Sequence, residues 1–193
     1  MKNPDERIAM AVVSADTEVL RAALDAGCSP NAKYLGTSVL AHAAQSDSMV
    51  EVAKLLVEHG AEINRADDEG TTPLLISAYS APAVAEVLLQ ARAAIDLSDA
   101  DGMTPLMAAA KGGHTNLARA LIARGADVNQ RDKAGRTPLH WVATDGDYAE
   151  TAAVLLAHGA DPEAKALSAH TPRDYAKQLS RSKLKAILQS ARS

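Results

Sequence analysis

Asp99 to Arg131 reads DADGMTPLMAAAKGGHTNLARALIARGADVNQR, thirty-three residues that hold one turn, two helices and the stops of both. Asp99-Ala100-Asp101-Gly102 suits a turn, because Asp bonds its own following backbone and Gly bends freely. Thr104 can accept an amide of the first helical turn, and Pro105 loses no bond at the first helical position. Leu106 and Ala109 then share one helix face, and Leu117, Leu121 and Ile122 give the next helix an apolar face. Gly112-Gly113 closes the first helix, and Gly125 suits the left-handed cap that ends the second. Val128 is expected to bury between loops. Such a pair cannot bury both of its sides alone, so it must stack on copies of itself.

Those copies are present. The helix-opening position recurs as Ser38, Thr72, Thr104, Thr137 and Thr171, at separations of 34, 32, 33 and 34 residues. The helix-closing position recurs as Gly27, Gly60, Arg92, Gly125 and Gly159, at separations of 33, 32, 33 and 34. The period, with Thr72-Pro73-Leu74, Thr104-Pro105-Leu106 and Thr137-Pro138-Leu139-His140, resembles the ankyrin repeat and its Thr-Pro-Leu-His-x-Ala pattern. Gly60-Ala61-Glu62-Ile63-Asn64, Gly125-Ala126-Asp127-Val128-Asn129 and Gly159-Ala160-Asp161 extend the resemblance over essentially the whole chain. It implies an all-α solenoid of stacked helix-turn-helix units with hairpin-like loops, a single domain spanning 1–193.

The units divide as an N-terminal cap, 1–33, internal repeats 34–66, 67–98, 99–131 and 132–165, and a C-terminal cap, 166–193. The second and fifth carry one extra residue in the turn between their helices, and the third is one residue short there. The third also has Arg92 where the others have Gly, and a non-Gly residue in the left-handed region costs roughly 1–2 kcal/mol. The sixth has Arg173 where Leu belongs, which marks it as a terminal cap that no further repeat covers. With both ends capped, the expected state is a monomer.

Phe is absent, aromatics make up 3% and hydrophobic residues 47%, so close helix packing is expected in place of large aromatic anchors. The lone Cys28 forms no internal disulfide, which suits a reducing compartment. The first residues have no signal-peptide layout, and the apolar region Leu74 to Ile95 is interrupted by Glu86, Gln90 and Arg92, which argues against a membrane span. The expected localisation is cytoplasmic. Net charge is −4, split into −7 over residues 1–96 and +3 over 97–193. The acidic front argues against nucleic acid, and the basic end (Lys165, Arg173, Lys177, Arg181, Lys183, Lys185, Arg192) reads as a solvated helix face.

No catalytic grouping, metal site or cofactor loop is expected. His140 sits in the repeat signature, where the resemblance implies a tie between adjacent loops, and the other histidines are spread over different repeats. Cys28 stands where Ala61, Ala126 and Ala160 stand elsewhere and reads as a packed small side chain. Asn64 and Asn129 are expected to satisfy turn backbone.

What remains is a surface. The resemblance implies that a protein partner docks on the hairpin tips and first-helix ends, which together form one concave face. The positions carried over for binding are Tyr34, Leu35 and Gln45; Asp68, Glu69 and Tyr79; Asp101, Met103 and Lys111; and Lys133, Arg136, Trp141 and Asp145. Trp141 is open between core packing and partner contact, since a large ring on a groove is a binding hot-spot type. Asp67, Asp68, Glu69, Asp96, Asp99 and Asp101 crowd acid into neighbouring fingers, which favours a basic partner surface; ordinary Asp turn chemistry is the competing explanation. The function expected is a non-catalytic protein-protein interaction module serving as adaptor, inhibitor or immunity protein. A secreted ankyrin effector acting on a host protein is the alternative, and a hydrolase-type enzyme the alternative of a different class.

Overall fold

The computed structural model describes residues 3–190, so Arg192 of the basic end and the outermost residues of both caps lie outside it. The fold is all-α. Twelve α-helices lie among the described residues: α1 (Pro4–Val13), α2 (Thr17–Asp25), α3 (Val39–Ala43), α4 (Val50–Glu58), α5 (Pro73–Ser80), α6 (Pro82–Gln90), α7 (Pro105–Lys111), α8 (Thr115–Ala123), α9 (Pro138–Asp145), α10 (Ala149–Ala157), α11 (Pro172–Gln178) and α12 (Ser182–Ser190). Two short strands, β1 (Lys33–Tyr34) and β2 (Thr37–Ser38), pair antiparallel in a hairpin.

The chain divides into two compact units, one ending at Ala94 and the other beginning at Ile95. In the first, α1, α3 and α5 stack as one layer and α2, α4 and α6 as another. In the second, α7, α9 and α11 form one layer and α8, α10 and α12 the other. Leu20, Leu40, Leu56, Leu74 and Leu88 fill the first core, and Leu106, Leu117, Leu121, Leu139 and Leu155 the second, all fully buried. Each such burial contributes about 1.5–3 kcal/mol. Ala43, Ala78, Ala109, Ala143 and Ala176 are fully buried between first-layer helices, where a longer side chain would push the backbones apart.

The helix entrances follow from the sequence. Thr72 accepts from the Leu75 amide at 3.2 Å, Thr104 from Met107 at 3.3 Å and Thr171 from Asp174 at 3.3 Å, while Ser38 serves the same role for Ala41 at 3.1 Å. The exits are equally regular: Gly27, Gly60, Arg92, Gly125 and Gly159 have φ of 84, 85, 63, 98 and 87°. After each, the next amide reaches back to close the helix, as from Ala61 to the Leu56 carbonyl at 2.9 Å and from Ala93 to Leu88 at 2.9 Å. Arg92 therefore adopts the glycine conformation, and the loop keeps its route.

The two longer turns have a use that their length alone does not announce. Asp47, in the turn between α3 and α4, accepts from the Ala83 amide at 2.8 Å and so caps α6, whose own cap position is Ala81. Asp147, in the turn between α9 and α10, accepts from Lys183 at 2.9 Å and Leu184 at 2.7 Å and caps α12. Arg181 returns the favour, donating to the carbonyls of Ala143 at 3.1 Å and Thr144 at 2.9 Å. Arg173 is not a bare charge on the outer surface. Its guanidinium is half-buried and donates to the Leu188 carbonyl at 2.6 Å in the last turn of α12, 3.7 Å from Glu163.

Candidate protein-binding surface

Three fingers are built on an Asp that spends its carboxylate on the turn. Asp67 accepts from the amides of Glu69 and Thr71 (3.0 and 2.8 Å), Asp99 from Asp101 and Met103 (both 2.9 Å), and Asp132 from Ala134 and Arg136 (2.9 and 2.8 Å). Turn chemistry thus explains Asp67 and Asp99 in the acidic run. It leaves Asp68, Glu69, Asp96 and Asp101, which are exposed and whose carboxylates enter no hydrogen bond or ion pair among the described residues.

In the first unit, the β1–β2 hairpin turns through Leu35 and Gly36 at φ 50 and 87°. Left-handed values at both positions define the primed turn that matches strand twist, and Asn-Gly is its usual sequence. Leu is a poor choice there, yet Leu35 is 87% exposed. Tyr34 is half-buried, its ring edge-to-face with His42 at 5.5 Å. Gln45, beyond the end of α3, is exposed, and Tyr79 near the end of α5 is 45% exposed.

In the second unit the structure decides the place of Trp141: it is core. The residue is 7% exposed and its indole N–H donates to Asp132 Oδ2 at 3.1 Å, so the ring offers no open face to a partner. What covers it is cationic. The Arg136 guanidinium lies 3.9 Å from the ring centroid and Lys111 Nζ 5.4 Å from it. Arg136 is fixed at its other side by Asp132, Nε to Oδ2 at 2.8 Å. Lys133 donates its amide to the Asp101 carbonyl at 2.9 Å, which sets the tips of these two fingers side by side. Lys133 and Asp145 are exposed, while Met103 and Lys111 are half-buried.

One exposed tip escaped the sequence reading. Leu167 is 81% exposed, and its amide donates to the Ala134 carbonyl at 2.9 Å. Extending the tip column into the last unit finds it; reading that unit only as a cap hides it.

The residues weighed for chemistry have structural work. His140 is buried, and its Nδ1 accepts from the Thr137 amide at 3.0 Å and lies 2.9 Å from that hydroxyl. Nε2 must therefore carry the proton, which it donates to the His170 carbonyl at 3.2 Å. Burial pushes the imidazole pKa below its ordinary 6.5. Cys28 is half-buried. Asn64 and Asn129 bridge successive repeats: Asn64 accepts from the Ala94 amide at 2.9 Å and Asn129 from Asp161 at 2.9 Å, as Asn31 does from Glu62 at 2.7 Å. Among the described residues no three His, Cys, Asp or Glu side chains cluster as a metal site, and no helix is long and apolar enough to cross a membrane.

A family model for ankyrin repeats (three copies) matches residues 8–99 and 81–166. The chain is 39% identical over 66 residues to human "Protein phosphatase 1 regulatory subunit 27", covering 34% of this chain and 42% of that one. It is 36% identical over 116 residues to "Ankyrin repeat and KH domain-containing protein mask-1" of Caenorhabditis elegans, covering 58% of this chain and 4% of the relative. With "NF-kappa-B inhibitor cactus" of Drosophila melanogaster it shares 47% identity over 49 residues, 25% of this chain and 10% of the relative. The matched stretch spans less than half the length of each of these relatives.

Proposed function

The chain belongs to the ankyrin-repeat family, and from that premise we propose that it is a non-catalytic protein-binding module whose fingers and first-helix ends engage a protein partner. The observation that carries the reading is Leu35: an apolar side chain held almost wholly in water, at the tip of a finger, in a backbone conformation that penalises it. Neither stability nor solubility favours that arrangement, whereas insertion into a partner's pocket does.

Asp68 and Glu69 give the first unit's surface uncommitted acid, and that unit carries 7 basic against 13 acidic residues. The partner surface it meets is basic, by charge complementarity. Two of the relatives are named for regulation, one as a phosphatase subunit and one as an inhibitor. By that likeness the module serves as an adaptor or inhibitor, working as a monomer in a reducing cytoplasm where Cys28 stays a thiol.

Site-specific photo-crosslinking tests the binding face. A benzophenone side chain placed at Leu35, and separately at exposed Gln90 on α6, is irradiated in the native cell. A discrete crosslinked partner at position 35 and none at 90 is the expected result. The same product from both positions, or from neither, rejects the finger surface.

A further inference from the structure

Arg136 is held in place before any partner arrives, by a carboxylate at its Nε and an indole ring against its Cζ. Asp132, its side chain 1% exposed, accepts four hydrogen bonds, from the Ala134 and Arg136 amides, Arg136 Nε and the Trp141 indole. Those bonds fix the Nε edge of the guanidinium, and the indole lies under the group with Cζ 3.9 Å from the ring centroid. Both anchors act on the Nε edge and the face of the group. The terminal nitrogens Nη1 and Nη2 donate no hydrogen bond among the described residues, and neither is buried without a partner. A planar fork with two outward N–H groups is thus presented to solvent, its side chain 28% exposed and already ordered.

We infer that Arg136, held on Trp141 by Asp132, is a preformed receptor for one side-chain carboxylate, from Asp or Glu, of the protein partner. The inference rests on the protein-binding reading and adds the chemistry of the partner at the second unit. Two parallel N–H groups match the two oxygens of a carboxylate in a bidentate pair. Because the side chain is immobilised beforehand, little rotamer entropy is lost on docking. Exposed Lys133 on the same finger, and Lys111 beside the same ring, add positive potential. The anion is a carboxylate and not a phosphate: Asp132 lies directly behind the fork, with Asp101 and Asp145 exposed on the same unit, and they oppose a dianion more than a monoanion.

Trp141 is the chain's one tryptophan and lies under the fork, so it reports occupancy directly. The 193-residue chain, 15N-labelled and at low salt, is titrated with acetylated hexaglutamate and, separately, with hexaglutamine. The Trp141 indole N–H resonance and its fluorescence are followed. A saturable shift with hexaglutamate alone is expected. Arg136→Lys keeps the charge but not the fork, and should weaken the peptide about tenfold or more, whereas Lys133→Gln should cost only about twofold through lost potential. Far-UV circular dichroism checks that both variants fold; should Arg136→Lys unfold, competition by inorganic phosphate on the wild type decides. No shift with hexaglutamate overturns the inference, as does equal weakening by the two substitutions or displacement of hexaglutamate by an equal concentration of phosphate. None of those outcomes touches the crosslink at Leu35, so this inference and the wider binding reading fail separately.

Discussion

On the proposed binding reading, Leu35 sets stability against binding within one residue. Its φ of 50° places a γ-branched side chain in the region that Gly and Asn tolerate best, at a cost of roughly 1–2 kcal/mol. Leu35→Asn keeps the two-residue turn and removes both the strain and the exposed isobutyl group. The substituted protein should melt at the same temperature or slightly higher, by up to about 1 kcal/mol of added stability, in a scan followed by circular dichroism. Its affinity for the crosslinked partner should fall at least about tenfold, equivalent to about 1.4 kcal/mol. A structural role for Leu35 gives the opposite pair of results: a lower melting temperature with binding intact. The residue type at this tip was legible as an apolar group out of place. Its exposure was not, because position 34, one residue earlier and equally apolar, is tucked against His42. Alternation across a two-residue strand is too short a pattern to separate them. Trp141 illustrates the converse. Its column among the first helices could face core or groove; Arg136 covers its face and its indole N–H is taken by Asp132, nine positions away and indistinguishable in sequence from the other turn aspartates.

The helix pairs themselves were legible, since their entrances and exits rest on local chemistry: Thr-Pro at one end, a left-handed residue at the other. Turn length was legible too, but its meaning was not. The longer turns of the second and fifth repeats carry Asp47 and Asp147, whose carboxylates reach amides some 36 residues on. That contact depends on how neighbouring repeats stack, which no local pattern encodes. For Asp147, burial alone would raise the carboxyl pKa. The Leu184 and Lys183 amides, helped by the charges of Lys183 and Arg181, outweigh it and hold the group below its ordinary 3.8. Asp147→Ala removes two charge-assisted bonds from the start of α12 and should cost about 1–2 kcal/mol, read as a lower urea midpoint with faster hydrogen exchange in α12. Unchanged exchange there would show that α12 is held by the burial of Leu184 and Leu188 and the bonds of Arg173 and Arg181, without Asp147. The same carboxylate sets an acid limit. Its stabilisation is complete above pH 3.8 and disappears as the pH drops through its depressed value.

At the scale of the molecule, the two units should answer pH in opposite senses, because each holds one perturbed histidine. In the second unit His140 is kept neutral by burial and lies below 6.5 in the fold. Between that value and 6.5 the unfolded chain binds more protons, so the stabilisation is whole above 6.5 and fades as the pH falls through the folded value. In the first unit His59 is drawn the other way. Its Nδ1 bonds the Leu55 carbonyl at 2.8 Å and Nε2 meets Asp25 at 3.1 Å, so both nitrogens favour the protonated ring and the pKa rises above 6.5. Here the native state binds more protons above 6.5, and the stabilisation, whole below that pH, is lost as the pH climbs through the raised value. Urea unfolding at a series of pH values between about 5 and 8 separates the two. Trp141 fluorescence follows the second unit, and its midpoint should decline from pH 7 to pH 5 in wild type but less in His140→Gln. Hydrogen exchange of α4 amides, corrected for intrinsic rates, follows the first; protection should decline from pH 6 to pH 8 in wild type and stay level in His59→Gln. Parallel shifts in both units, or shifts that survive these substitutions, would assign the pH dependence to other groups and leave the bonds of His59 and His140 without energetic weight.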